Sequence, residues 1–284
     1  DLEDKYGSNH PDVLEHRAYL NDYSEKSKKN ATKSRYCSYC RKSSHNVRTC
    51  VERSKDVSRI KKLNFRWRTK IRQELHARGA NVVAISRDPN KAGTSIDGIR
   101  LCALDARDSN AVSAFFDSEG KIDILISSAT GGSRAFGPFL EMDIDGLKGS
   151  FDKLWGYSNI VRYGTAKLGD DGCIVLVSGT PARKMKPGQV ALSAVGGAVE
   201  ALARAIAPEI APKRINVVAP GIVDTPMVAL TGNDRAAHYR NVTKSHLIKR
   251  PGKPEEIAKA ILFAVENDFI TGTTIDVDGG WLQA

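Results

Sequence analysis

The chain has 284 residues, enough for one large α/β domain and a small accessory module. Its composition is that of an ordinary globular protein, and no apolar run looks long enough to span a membrane, which argues against a membrane-embedded function. The formal net charge of +10 is confined to one part: residues 1–80 hold 20 Lys/Arg against 10 Asp/Glu, and the remainder holds 23 of each. That asymmetry points to a polyanion partner for the N-terminal part alone, the alternative being a solvated lysine-rich arm.

Residues 1–34 read as a polar arm. His10-Pro11-Asp12 is a turn, Val13 to Leu20 has the makings of a short helix, and Glu25 to Ser34 is a solvated linker. A small module follows over residues 35–52. Three of the five cysteines fall here, in the pattern Cys37-x2-Cys40-x4-His45-x4-Cys50. Three thiolates and one imidazole are ligands that tetrahedral zinc prefers, and a segment this short needs a metal to fold. Cys102 and Cys173 lie in apolar runs and read as buried free thiols. The whole pattern suits a reducing, intracellular (cytoplasmic) compartment rather than a disulfide framework.

The cysteine-histidine spacing resembles the CCHC zinc knuckle of nucleic-acid-binding proteins, with Ser44 where such knuckles often carry glycine. Tyr36 and Tyr39 offer faces for unstacked bases, and Arg35, Arg41, Lys42 and Arg48 offer cations for phosphates. Residues 26–78 are therefore expected to bind single-stranded nucleic acid, RNA or DNA. A module that only holds a protein partner is the competing reading.

Residues 53–80 form a basic amphipathic segment. Ile60, Leu63, Trp67, Ile71 and Leu75 recur at helical spacing, the helix is expected over Leu63 to Ala80, and Gly79 is a suitable stop. From residue 81 onwards apolar runs alternate with amphipathic stretches. Strands are expected at Val82–Ile85, Leu101–Leu104, Ile122–Ile126, Ile174–Val177, Ile215–Val218 and Thr274–Val277. Helices are expected at Ser109–Asp117, Leu147–Lys167, Gly197–Ile210 and Pro254–Glu266. Short continuous apolar strands linked by helices predict an α/β, Rossmann-like, doubly wound parallel sheet over residues 81–284.

Within that pattern, Arg78-Gly79-Ala80-Asn81-Val82-Val83-Ala84-Ile85-Ser86-Arg87, Leu104-Asp105-Ala106-Arg107-Asp108, Ile174-Val175-Leu176-Val177-Ser178 and Asn216-Val217-Val218-Ala219-Pro220-Gly221-Ile222-Val223-Asp224-Thr225-Pro226-Met227 resemble the short-chain dehydrogenase/reductase family, as does the closing stretch Thr271-Gly272 to Gly280. The resemblance covers about residues 76–284. It implies that Arg87 faces the adenosine ribose and its 2′-phosphate, hence NADP. It further implies that Asp105 contacts adenine, that Thr225 lies on the nicotinamide side and that Ser178 is the catalytic serine.

Other family positions depart from the pattern. Leu192 and Gly196 stand where the resemblance places a tyrosine and a lysine, and Lys153 stands for an asparagine. Ser127-Ser128-Ala129-Thr130 replaces an Asn-Asn-Ala-Gly element. A phenol activated by an ammonium moves the proton in this chemistry, and leucine and glycine cannot do so. Upstream, Leu63 to Arg68 holds no glycine where a phosphate loop is expected, and Arg53 to Ile60 is too charged for a central strand. The expected protein is therefore a zinc-knuckle, nucleic-acid-binding module joined to a short-chain dehydrogenase-like domain impaired in catalysis. The alternatives are an NADP-dependent oxidoreductase, and a structural protein whose parts are interaction surfaces. Helices Leu147–Lys167 and Gly197–Ile210 would serve a homo-oligomer.

Overall fold

The computed structural model describes residues 66–89, 98–129, 135–225 and 228–284. All of them belong to one unit, Ile60–Ala284. The polar arm, the Cys37, Cys40, His45, Cys50 cluster and the charged stretch at 53–60 lie outside the described residues.

Helix α1 (Arg66–Ala77) ends in a turn at Gly79, whose φ of 85° suits a residue without Cβ. It buries Ile71, and with it Leu75, against Ile257, Ala258 and Ile261 of α7 (Pro254–Glu266). Ile71 and Leu75, the described part of the apolar stripe, thus belong to the core, and α1 is the first described helix of the α/β domain. Strands β1 (Val82–Ser86) and β2 (Ile99–Ala103) form a parallel pair in the register Val82 to Ile99 through Ser86 to Ala103. Strands β3 (Ile122–Ser127), β4 (Leu168–Val177), β5 (Arg214–Pro220) and β6 (Thr274–Val277) form a second parallel sheet in that order. Val175, Leu176, Val217 and Val218 have no exposed surface, as expected of strands covered on both faces.

Among the described residues no strand joins β1 to β3. Both halves nevertheless run the same way. Helix α4 (Asp152–Gly164) shows this, because Asn159 Nδ2 donates to the carbonyl of Ala106, beyond β2, at 3.0 Å. Tyr157 Oη donates to the carbonyl of Ala129, beyond β3, at 3.2 Å. The C-terminal ends of β2 and β3 therefore meet the same turns of one helix.

Several elements differ from expectation. The single helix expected at Leu147–Lys167 is two, α3 (Ile144–Ser150) and α4, meeting at Phe151. Ser150 marks the break: its hydroxyl donates to the carbonyl of Gly146 and accepts the amide of Ala135, which draws a neighbouring loop onto the joint. Helix α2 (Ser109–Ser118) is capped by Asp108, which accepts the Ala111 amide. Helix α6 (Gly232–Val242) carried too little apolar periodicity to be expected. Cys173 is buried as foreseen, but Cys102 is only half-buried; among the described residues β2 pairs on one edge, with β1.

Helix α5 (Val190–Ile210) also corrects the membrane statement. Its 21 residues are apolar and long enough to cross a bilayer. In this fold they make a core helix: Val199, Ala203 and Ala207 pack with Ile174, Leu176, Ile215 and Val217.

Candidate functional site

In an open parallel sheet, ligands gather at the carboxyl ends of the strands, where helix N-termini and loops converge. Two groups of residues stand there. The first surrounds a recess of about 400 Å³ lined by Arg87, Ala103, Leu104, Asp105, Asp108 and Ala111. Arg87 follows β1 directly and is exposed. Asp105 is not free to recognise a base by itself. Arg107 grips its carboxylate through Nε and Nη2 at 3.0 and 2.6 Å, and reaches Asp152 of α4 at 2.9 Å with Nη1. These contacts hold the Asp105 carboxyl at about 2, well below its usual range.

The second group follows β4 and β5. Ser178 sits just past β4, its amide bonded to the carbonyl of Val218 at 2.9 Å. Its hydroxyl donates to Glu200 Oε1 at 2.8 Å. Glu200 is a buried carboxylate on α5, 3% exposed, and its other oxygen lies 3.3 Å from Arg183 Nε. Arg183 also donates to Asp276 of β6 at 2.9 Å. Ser178 therefore opens a chain of charge running Glu200, Arg183, Asp276. Beside it, Tyr157 is wholly buried, its one hydroxyl proton shared between the carbonyls of Ala129 and Val177 at 3.2 and 3.1 Å, and the ammonium of Lys153 lies 5.5 Å from its ring centroid.

Leu192 and Gly196 occupy the first two turns of α5. A Cβ at Gly196 would stand 3.0 Å from that of Ala182, so a lysine there would displace the neighbouring turn. Thr225 is held by its backbone: its amide donates to Tyr239 Oη at 3.3 Å and its carbonyl accepts Arg235 Nη2 at 2.9 Å. Arg87 and Asp105 thus share one recess, and Ser178 and Thr225 follow adjacent strands. The two pairs belong to the two separately described sheets, β1 with β2 and β3 to β6.

Sequence reasoning missed Glu200, Arg183 and Arg107. Glu200 was detectable as the one acid in the otherwise apolar run Val190 to Leu202. The pairing of Arg107 with Asp105 depends on a turn that no periodicity reveals. Among the described residues no three His, Cys, Asp or Glu side chains are grouped to hold a metal, and Cys37, Cys40, His45 and Cys50 lie outside them.

Residues 69–282 match the family model described as enoyl-(acyl carrier protein) reductase. The chain belongs to the short-chain dehydrogenase/reductase family. Human L-xylulose reductase is 30% identical over 220 residues, covering 74% of this chain and 89% of that protein. The 2-keto-3-deoxy-L-fuconate dehydrogenase of Xanthomonas campestris is 28% identical over 218 residues, covering 72% of each. A crystal structure of a small-chain dehydrogenase in complex with NADPH superposes with a TM-score of 0.62 at 29% identity, covering 72% of this chain and 98% of that one.

Proposed function

We propose that this domain is an NADP(H)-using oxidoreductase of the short-chain type, with the adenosine end in the Arg87 recess and the reacting end above Ser178. The observation that carries the reading is Arg87, an exposed cation at the end of β1, beside a recess of about 400 Å³. A guanidinium there suits a 2′-phosphate, which separates NADP from NAD. The NADPH held by the 29%-identical structure supports the same choice.

The fit is good at the adenosine end. When bound, the nicotinamide supplies or accepts a hydride. This chain would position it through the loop at Thr225 and would offer Ser178 as the nearest hydroxyl. Proton transfer is the weaker half of the chemistry. Leu192 and Gly196 supply neither phenol nor ammonium, and the Ser178 proton is directed at Glu200. Reduction is therefore expected to be slow with acceptors that need a proton from the protein, which keeps the impaired-catalysis reading within this proposal.

Quenching of the fluorescence of Trp155 or Trp281 by NADPH at micromolar concentration is the expected result. No binding at millimolar NADPH would eliminate the proposal.

A second activity is favoured by the sequence alone. The Cys37, Cys40, His45, Cys50 set has the ligand chemistry of a zinc knuckle, and the +10 charge sits around it. We infer that residues 26–78 bind single-stranded nucleic acid. Binding should weaken steeply with salt, and a flat salt dependence would remove this reading.

A further inference from the structure

The loop after α6 buries a histidine that no hydrogen bond holds. His246 is 2% exposed, and neither of its ring nitrogens has a partner among the described residues. Its ring lies nearly parallel to that of Trp281, with centroids 5.9 Å apart and an angle of 11° between the planes. Trp281 is itself buried and opens a short 3-10 turn, Trp281–Gln283, beyond β6. The loop and the turn are also joined through the backbone, since the Ile248 amide donates to the Gly279 carbonyl at 2.8 Å. A Cβ on Gly280 would stand 2.8 Å from the Leu247 side chain, so the two segments meet without slack. A neutral imidazole is poorly served in such a place, and an imidazolium far worse.

Three charged groups face His246: Asp278, Lys186 and Lys184. The two ammoniums come from the segment after β4 and lie 5.8 Å (Lys184) and 5.9 Å (Lys186) from the Trp281 ring centroid. Asp278 is the single acid, and both of its oxygens are engaged. Oδ1 accepts the Gly280 amide and Oδ2 the Leu282 amide, each at 2.8 Å. Those two bonds close the turn, and Lys184 adds a third by donating to the Trp281 carbonyl at 2.8 Å. A proton on His246 would add a third cation around one indole. Its counter-charge would be the carboxylate that already caps the turn.

Burial holds the His246 imidazole below its ordinary 6.5; Asp278 works against this, and Lys186 and Lys184 reinforce it. The closed form therefore takes up a proton less readily than an open one, and acid favours opening from the ordinary value downward. We propose that His246 is an acid-operated latch: once protonated it leaves the Trp281 stack, draws Asp278 from the turn amides and releases residues 278–283. The release reaches the candidate site through one peptide bond. Lys184 follows Arg183, and Arg183 holds Glu200, which accepts the Ser178 hydroxyl. Freeing the Lys184 end of that segment would loosen the hold on Glu200. This consequence for catalysis rests on the nucleotide reading; the latch itself does not.

The test uses the full chain carrying Trp67→Phe and Trp155→Phe, which leaves Trp281 as its one tryptophan. Trp281 emission and its quenching by acrylamide are followed from about pH 7.5 to about pH 5, without nucleotide. A red shift and a several-fold rise in quenching are expected as the pH falls below 6.5. Asp105 and Glu256, held at about 2, stay ionised in the folded chain over this range. His246→Phe keeps an aromatic partner for Trp281 and removes both nitrogens, and it should abolish the transition. Proton NMR of the His246 ring gives the same answer in the chain with His246 intact: its titration should coincide with the Trp281 change. Emission that stays flat to about pH 5, or an imidazole that titrates without Trp281 responding, would overturn the proposal. So would a transition that survives in His246→Phe, or one at which far-UV circular dichroism is lost as well, since that is unfolding of the whole domain. NADPH binding is measured separately at about pH 7.5. Its absence sinks the nucleotide reading and leaves the latch standing, whereas a flat Trp281 signal sinks the latch whatever the nucleotide does.

Discussion

The hydroxyl of Ser178 donates to the buried carboxylate of Glu200 over 2.8 Å, so the one serine that matches the family's catalytic set is bound to an acid of the core. Glu200 is in turn compensated by Arg183, which leans on Asp276. Removing Glu200 leaves Arg183 and Ser178 short of an acceptor. Glu200→Ala is expected to cost about 2 kcal/mol, below the value for a fully buried pair because Arg183 reaches solvent. Glu200→Gln keeps an acceptor for Ser178 and should cost about half as much. Urea unfolding of both variants checks the order, and equal stability of all three proteins would show that the contact contributes nothing.

The two residues of the adenosine recess are expected to behave differently. Arg87 is exposed at the end of its strand, whereas the Asp105 carboxylate is already gripped by Arg107. Arg87→Ala should weaken NADPH binding by about tenfold or more, since a charge-assisted contact to phosphate is lost, while NADH binding changes little. Asp105→Asn should alter stability more than affinity, because it breaks the contact that ties this loop to Asp152 through Arg107. Titration of tryptophan fluorescence with each nucleotide separates the cases. Equal losses for NADPH and NADH in Arg87→Ala would remove the 2′-phosphate argument.

Much of this fold could be read from residue order, for a physical reason. Strands such as Val82–Ser86 and Ile122–Ser127 are short apolar runs because both faces are covered, and α7 begins at Pro254, where a first-turn proline costs no hydrogen bond. The break at Phe151 was not legible, since it depends on Ser150 binding Ala135, 15 residues away. Nor was the engagement of Ser178, because a serine after a strand looks the same whether its proton faces a ligand or a core acid. The expectation of a missing first strand came from Arg53 to Ile60, which carries charge where a doubly covered strand requires hydrocarbon, and that stretch lies outside the described residues. What the sequence did not reveal is that α1 packs against α7, with Ile71 in the core.

The zinc proposal makes its own prediction. Metal analysis should find a single zinc per chain. Cys40→Ser should lose most of it, since a hydroxyl does not replace a thiolate on this ion. Oligonucleotide binding should fall with the metal, and a chelator should have the same effect on the unmodified chain. Because the ligands precede α1, the urea transition of the α/β domain is expected to stay unchanged. A joint loss of zinc and of that transition would show that the two parts fold together.

Glu256 offers a test of acid stability. Arg250 contacts its carboxylate through two bonds, at 2.9 and 2.6 Å, and the amide of Lys253 donates to it at 2.6 Å, closing the first turn of α7. These partners hold its carboxyl at about 2 against an ordinary 4.5. A depressed carboxylate stabilises the fold at pH values above its unfolded range, and that contribution disappears as the folded form takes up a proton. Glu256→Gln should therefore unfold at lower urea than the unmodified chain at pH 7. The difference should narrow below pH 4.5 and close near pH 2. The comparison is best made as a series of urea midpoints at falling pH. A difference that stays constant down to the acid limit would mean that the cap acts through shape, and that the Arg250 ion pair adds nothing.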